Sequence, residues 1–239
     1  MSKVVIVTST LYKGSDDVRA KLAIETICSA KEHGYPIVIV DSSPEEIRDS
    51  FRGHGAIVFD AEKQGMGIER RQAIRETTGL AGPDGIVAWM EPEKTPFVPL
   101  LGQVVKELIA QSADLAIPRR RSLESYPEIQ QHAEWLGNEA FRMLTGMALD
   151  VWFGPRVFRS NIASFFLDYR GEYGDLWDSI FVPIIRAIKT GKKVIGVEVD
   201  YIHPKEQTAI EDDFPMFEKR INQLVTLIET IRTEARSMA

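Results

Sequence analysis

Gly85-Ile86-Val87-Ala88-Trp89-Met90-Glu91-Pro92-Glu93-Lys94-Thr95-Pro96-Phe97 is the stretch on which the reading of this chain turns. Its apolar run from Ile86 to Met90 has the length of a buried strand, and it stops at two carboxylates, Glu91 and Glu93, spaced around a proline. In an open α/β sheet the C-terminal strand ends are where ligands bind, so a carboxylate pair there can hold a hard divalent cation together with a substrate phosphate. The same pair also reads as two exposed loop acids, since acids at strand ends are common.

Upstream of this stretch the sequence alternates strand and helix. Val4 to Thr8 is a β-branched strand, and Leu11 to Ser15 a loop. Asp16 or Asp17 then caps a helix with Val18, Leu22, Ile27 and Cys28 on its apolar side, ending near Gly34. Pro36 to Val40 is a second strand. It leads into Asp41-Ser42-Ser43-Pro44-Glu45-Glu46, where Ser43 as N-cap, Pro44 as first helical residue and Glu46 spell a capping box. Ala56 to Phe59 is a third strand. From Gln64 a glycine loop with Gly65 and Gly67 opens into a basic helix carrying Arg70 and Arg71. Glycines let backbone approach an anion and a helix N-terminus attracts one, although two glycines equally make a structural turn. The segment is neither a Walker loop nor a full dinucleotide fingerprint.

Downstream, Thr95-Pro96 starts a helix through Leu100, Leu101, Val104, Val105 and Leu108, and Asp114 to Pro118 is a fifth strand. Successive β-α units of this length predict a mostly parallel sheet covered by helices on both faces. Arg119-Arg120-Arg121 comes directly off that strand. It reads either as a solvated basic surface or as a group able to reach a phosphate. The next helix has Ile129, Ala133, Leu136, Ala140, Phe141 and Leu144 on its apolar side, and Asp150 to Arg156 is a Gly-Pro turn with aromatics, able to wall a pocket. Asp175-Leu176-Trp177-Asp178 begins another helix, with Ile180, Phe181, Ile184, Ile185 and Ile188 buried. Val194 to Ile202 is the last strand, closed by His203-Pro204. Pro215 to about Ala235 reads as an amphipathic helix that covers the core or a dimer partner.

Composition bounds the class. With 239 residues, 44% hydrophobic and 27% charged, the chain is an ordinary soluble globular protein whose core needs no staples. A single cysteine, Cys28, excludes an internal disulfide and a cysteine-rich zinc site, and suits a reducing compartment. No signal-peptide pattern and no membrane-length apolar stretch stand out, so the expected location is cytoplasmic. A net charge of −6 argues against nucleic acid as partner.

The order of these features over roughly residues 3 to 204 resembles the GT-A-fold glycosyltransferases, in particular the family 2-like group. The resemblance implies an α/β fold with a single Rossmann-like, mostly parallel sheet flanked by helices over residues 1–204. Residues 205–239 would then be a helical extension packing on the domain or on a partner in a homodimer. It also implies nucleotide contacts from Thr8 and Ser9 after the first strand, from Asp41 after the second, and from Gly65, Gly67, Arg70 and Arg71. Glu91-Pro92-Glu93 aligns with the family's metal-binding Asp-x-Asp but carries glutamates, and His203 resembles a further metal or diphosphate ligand. The implied cofactor is a divalent metal, Mn2+ or Mg2+. Asp150 and Arg156 resemble the acceptor-side turn, with Arg119 and Trp177 nearby in role, and Asp178, or else Asp175, resembles the catalytic base of inverting members. The implied reaction is transfer of a sugar from a nucleotide-diphosphate donor to a hydroxyl acceptor, and with no membrane-length apolar stretch in the sequence the expected acceptor is small and soluble rather than a lipid carrier. Two other classes remain open. One is a nucleotidyltransferase, which usually shows a Gly-rich basic loop after the first strand where this chain has only Lys13 and Gly14. The other is an inactive nucleotide-sugar-binding protein.

Overall fold

The computed structural model describes residues 2–211 and 214–236, so residues 212, 213 and 237–239 of the expected extension lie outside it. The order is β1 (Val4–Thr10), α1 (Val18–Glu32), β2 (Ile37–Asp41), α2 (Glu45–His54), β3 (Ile57–Asp60), α3 (Met66–Ala81) and β4 (Ile86–Trp89). Then come α4 (Leu101–Ala110), β5 (Leu115–Arg120), α5 (Glu128–Thr145), β6 (Arg156–Arg159), the short α6 (Ser164–Leu167), α7 (Asp178–Lys189), β7 (Val194–Val199), α8 (Lys205–Glu211) and α9 (Phe214–Arg236).

Among the described residues seven strands form one sheet in the order β3-β2-β1-β4-β6-β5-β7. Every pairing is parallel except those of β6, which runs antiparallel to both β4 and β5. Central strands buried on both faces call for apolar residues, and residues 4–7 of β1 and all of β4 supply them. Val5 and Val7 face one layer, built from α3, α5, α7 and α9; Ile6 faces the other, built from α1, α2 and α4. The α/β sheet flanked by helices is thus as the sequence implies.

Local details differ where a polar group had a stronger partner. Asp17 does cap α1, accepting from Arg19 N. Ser43 does not cap α2. Its hydroxyl donates to Asp41 and accepts from Tyr12 N, and Pro44 takes the cap position without a side-chain bond. The helix expected from Thr95 is first a 3₁₀ turn, Thr95–Leu100, because Pro99 inside it cannot donate to an α-helical ladder. On α5 the expected apolar residues Ile129 and Leu136 are exposed, while Gln130 and Glu134 are buried. The helix turns this way because Glu134 pairs with a buried guanidinium, Arg120. Strand β6 was not read from the sequence at all. Two of its four residues are arginines, yet Arg156 is fully buried because its guanidinium donates back to the carbonyls of Val151, Gly154 and Pro155.

The C-terminal helix α9 lies against α5 and α7, burying Leu224, Leu227 and Ile231 and leaving Val225 exposed. No described helix is long and apolar enough to cross a membrane. Phe158, at the centre of β6, is fully buried and stacks on Phe166 with ring centroids 4.6 Å apart. Phe158→Ala is expected to destabilise the protein by about 3–5 kcal/mol through the cavity it leaves. Urea unfolding of the two proteins side by side measures this.

Candidate functional site

A cavity of about 360 Å³ opens at the C-terminal ends of β1 and β4. Its walls come from four parts of the fold: the loop Thr8 to Tyr12, the start of α3 from Gly65 to Arg70, the segment Trp89 to Lys94, and the turn Val151 to Gly154. Trp177, His203 and, from α9, Lys219 and Arg220 complete it. The lining holds five Lys or Arg (Arg19, Arg70, Lys94, Lys219, Arg220) against four Glu (Glu69, Glu91, Glu93, Glu134), so it is net positive in a protein of charge −6.

Three groups define its chemistry. Arg70 is held between Trp89 and Trp177, its guanidinium carbon 5.0 Å from each ring centroid, and it donates to Leu176 O and Ser179 Oγ. Burial pulls its pKa down to about 10 in spite of Glu91 and Asp178 nearby. Glu91 sits where β4 ends. A Cβ on Gly154 would lie 2.2 Å from both of its carboxylate oxygens, so only glycine, here at φ 108°, leaves it room. The buried Oε2 of Glu91 has no hydrogen-bond partner. Lys94 is also buried, its ammonium 5.0 Å from the Phe153 centroid and 5.6 Å from that of Tyr201. Burial alone would lower its pKa, but Tyr126, Glu91 and Tyr201 outweigh this and hold it above the ordinary lysine range.

Solved structures share this architecture. Mannosyl-3-phosphoglycerate synthase from Rubrobacter xylanophilus superposes with a TM-score of 0.53 at 14% identity, over 92% of this chain and 74% of that one. CMP:2-keto-3-deoxy-manno-octonic acid synthetase complexed with CTP gives 0.55 at 11% identity, over 93% and 98%. A 4-diphosphocytidyl-2C-methyl-D-erythritol synthase gives 0.55 at 10% identity, over 95% and 99%. The chain shares the α/β fold of these structures. No family model and no curated protein matches the sequence.

On this fold the expected site residues fall into two groups. Thr8, Ser9, Gly65, Arg70, Glu91, Glu93, Trp177 and His203 line the cavity. The rest do not. Asp41 is fully buried and accepts from Thr10 Oγ1, Ser43 Oγ and Ser43 N, so it ties the ends of β1 and β2 together and shapes the Thr8–Tyr12 loop from behind. Gly67 donates its N–H to Asp175 O at 2.9 Å, and a Cβ there would collide with the Asp175 side chain. Arg71 forms a two-pronged pair with Asp175, with one contact of 2.7 Å. Asp178 is 2% exposed, and its carboxylate accepts from Asp175 N, Leu176 N and Tyr169 OH. The acids expected as catalytic bases are therefore occupied in holding the Gly171–Trp177 loop.

The acceptor-side residues are displaced in the same sense. Arg119 is exposed and pairs with Glu198 at 2.9 Å. Asp150 pairs with Arg120 at 2.8 Å and accepts from Asn138, and Arg156 turns back on its own turn. Asp150 and Arg156 thereby fix the wall Val151–Gly154 without entering the cavity. Lys94, Arg19, Glu69 and the α9 cations were missed by sequence reasoning. Lys94 stood beside the glutamates in the decisive stretch, but nothing in a lone loop lysine shows that it will be buried.

Glu91, Glu93 and His203, expected to hold a divalent cation, line the same cavity, and the expectation is of a carboxylate pair completed by a substrate phosphate. Among the described residues no group of three His, Cys, Asp or Glu side chains is placed to hold a metal ion. His203 is stacked on Tyr126 at 4.1 Å, and Glu93 faces the Tyr12 hydroxyl at 3.4 Å. Burial raises the Glu93 pKa, and the Lys94 charge acts on both carboxylates. These three residues share a cavity without forming a coordination shell.

Two expectations follow. Asp178→Asn removes acceptors from buried donors and should lower stability by about 1–3 kcal/mol while leaving ligand affinity unchanged; chemical unfolding and ligand titration of the same variant read both. Burial alone would raise the Asp150 carboxyl, but the charge and hydrogen bonds of Arg120 outweigh it and hold it below the ordinary carboxylate range. Its stabilisation is therefore full above the unfolded value of about 3.9 and is lost as pH falls through the lowered folded value. Asp150→Asn should cost about 3 kcal/mol at neutral pH and flatten the acid limb of the stability curve, which urea melts down to about pH 2 measure.

Proposed function

We propose that this protein is a transferase that binds a nucleotide-diphosphate sugar in the cavity at the ends of β1 and β4 and passes the sugar to a hydroxyl on a small soluble acceptor. The observation that carries this is the pairing, in one cavity of this fold, of a net positive lining with a buried carboxylate oxygen, Glu91 Oε2, that has no partner. A phosphate-bearing donor matches the cations, and an acceptor hydroxyl matches the free lone pairs of Glu91.

In this reading Thr8 and Ser9 meet the nucleotide, and Arg70, held rigidly between two indoles, meets the diphosphate. The acceptor oxygen bonds to the sugar carbon while the bond from that carbon to the diphosphate breaks. The bonding electrons leave with the nucleoside diphosphate and the hydroxyl proton passes to Glu91. Glu91 thus takes the role that the sequence had given to Asp178. Glu91→Gln should lower turnover by about 10²–10⁴ with nucleotide affinity kept.

Nucleotidyl transfer is the second reading. It is favoured by the nearly complete coverage, 98% and 99%, of two structures named as synthases of cytidylyl-activated compounds. The loop after β1 speaks against it, carrying Lys13 and Gly14 in place of a basic glycine-rich cradle. Thermal shift with a panel of nucleoside diphosphates, their sugar conjugates and nucleoside triphosphates separates the two. Stabilisation and slow hydrolysis with a nucleotide sugar support the first reading; pyrophosphate release from a triphosphate supports the second. No shift with any compound at millimolar concentration rejects both.

A further inference from the structure

We infer that Lys94 supplies the positive charge that a divalent cation would otherwise bring to the diphosphate, and that nucleotide binding here needs no metal ion. This rests on the transferase reading above.

Lys94 follows Glu93 directly, in the turn that β4 delivers to the cavity, and its side chain lines that cavity while being 8% exposed. Its ammonium lies over Phe153 and Tyr201, and no hydrogen bond or ion pair to it exists among the described residues. A buried ammonium whose protein contacts are ring faces still lacks the acceptors it had in water. Glu91 is near enough to act on it electrostatically, yet the two form no ion pair. Two further donors of cavity-lining residues, Thr8 Oγ1 and Trp89 Nε1, are buried without partners. The site therefore holds a fixed cation and two idle donors.

A diphosphate presents only acceptor oxygens and negative charge, so it suits the Lys94 ammonium. Lysine binds phosphate as a point charge, which is the electrostatic service a bound dication performs. A dication placed between Glu91 and Glu93 would instead stand close to the Lys94 ammonium and pay that repulsion before any nucleotide arrives.

Calorimetric titration of the unaltered protein with UDP, CDP and GDP, once in EDTA and once with manganese, tests the inference. For the nucleotide that binds, the dissociation constants in the two buffers should agree within about twofold. Lys94→Met should weaken diphosphate binding at least tenfold, leave binding of the bare nucleoside unchanged, and gain nothing from manganese. Binding that disappears in EDTA and returns with manganese overturns the inference and leaves the transferase reading standing. So does a folded Lys94→Met protein with wild-type affinity. If none of the three binds in either buffer, the reading and the inference fall together. Should Lys94→Met fail to fold, the chelator comparison decides on its own.

Discussion

Arg120 is the residue on which the shape of the cavity depends. Its side chain is fully buried at the end of β5, where it pairs with Asp150 at 2.8 Å and Glu134 at 2.5 Å and packs over Tyr126 and Phe153. Three charges removed from water are costly unless every remaining lone pair and proton is met. Here Asn138 donates to Asp150 and Gln130 to Glu134, so the acids are shared between one cation and two amides. That network joins strand, helix and turn. It holds α5 at one rotation and fixes the Val151–Gly154 wall, which in turn sets where Gly154 meets Glu91.

The parts of the fold legible in the sequence were those dictated by apolar periodicity and strand length. Residues 4–7, 37–40 and 86–89 are continuous apolar runs, the pattern that strands buried on both faces require. Illegible were the places where a charge is buried. Strand β6 begins with an arginine that neutralises its own backbone carbonyls, and α5 rotates two hydrophobic residues outward to bury Glu134. Ordinary hydropathy counts both against burial, because it sees the charge of each residue and not the hydrogen bonds or ion pair that compensate it.

The site shows the same division. Position relative to strand ends placed Thr8, Ser9, Glu91 and Glu93 at one cavity, since in a parallel sheet all such ends lie on one edge. The role of each acid was not legible. Asp41, Asp150, Asp175 and Asp178 all stand at loop-element junctions, and each is consumed by backbone N–H groups or arginines. Glu91 differs from those four: among the described residues its buried Oε2 makes no hydrogen bond.

The antiparallel strand β6 carries a consequence for synthesis of the chain. Strand β4 pairs with β1 on one side, but its other neighbour is β6, which leaves the ribosome about 67 residues later; β5 likewise reaches the rest of the sheet only through β6. During that interval the nascent protein presents an apolar four-residue edge, Ile86 to Trp89, with unpaired backbone groups, the kind of surface that recruits other chains. The short tetrapeptide Arg156–Arg159 closes both edges in one step. A chain that stops before residue 156 therefore has the four strands β3-β2-β1-β4 in one sheet and a β5 with neither of its partners, since β7 also lies downstream.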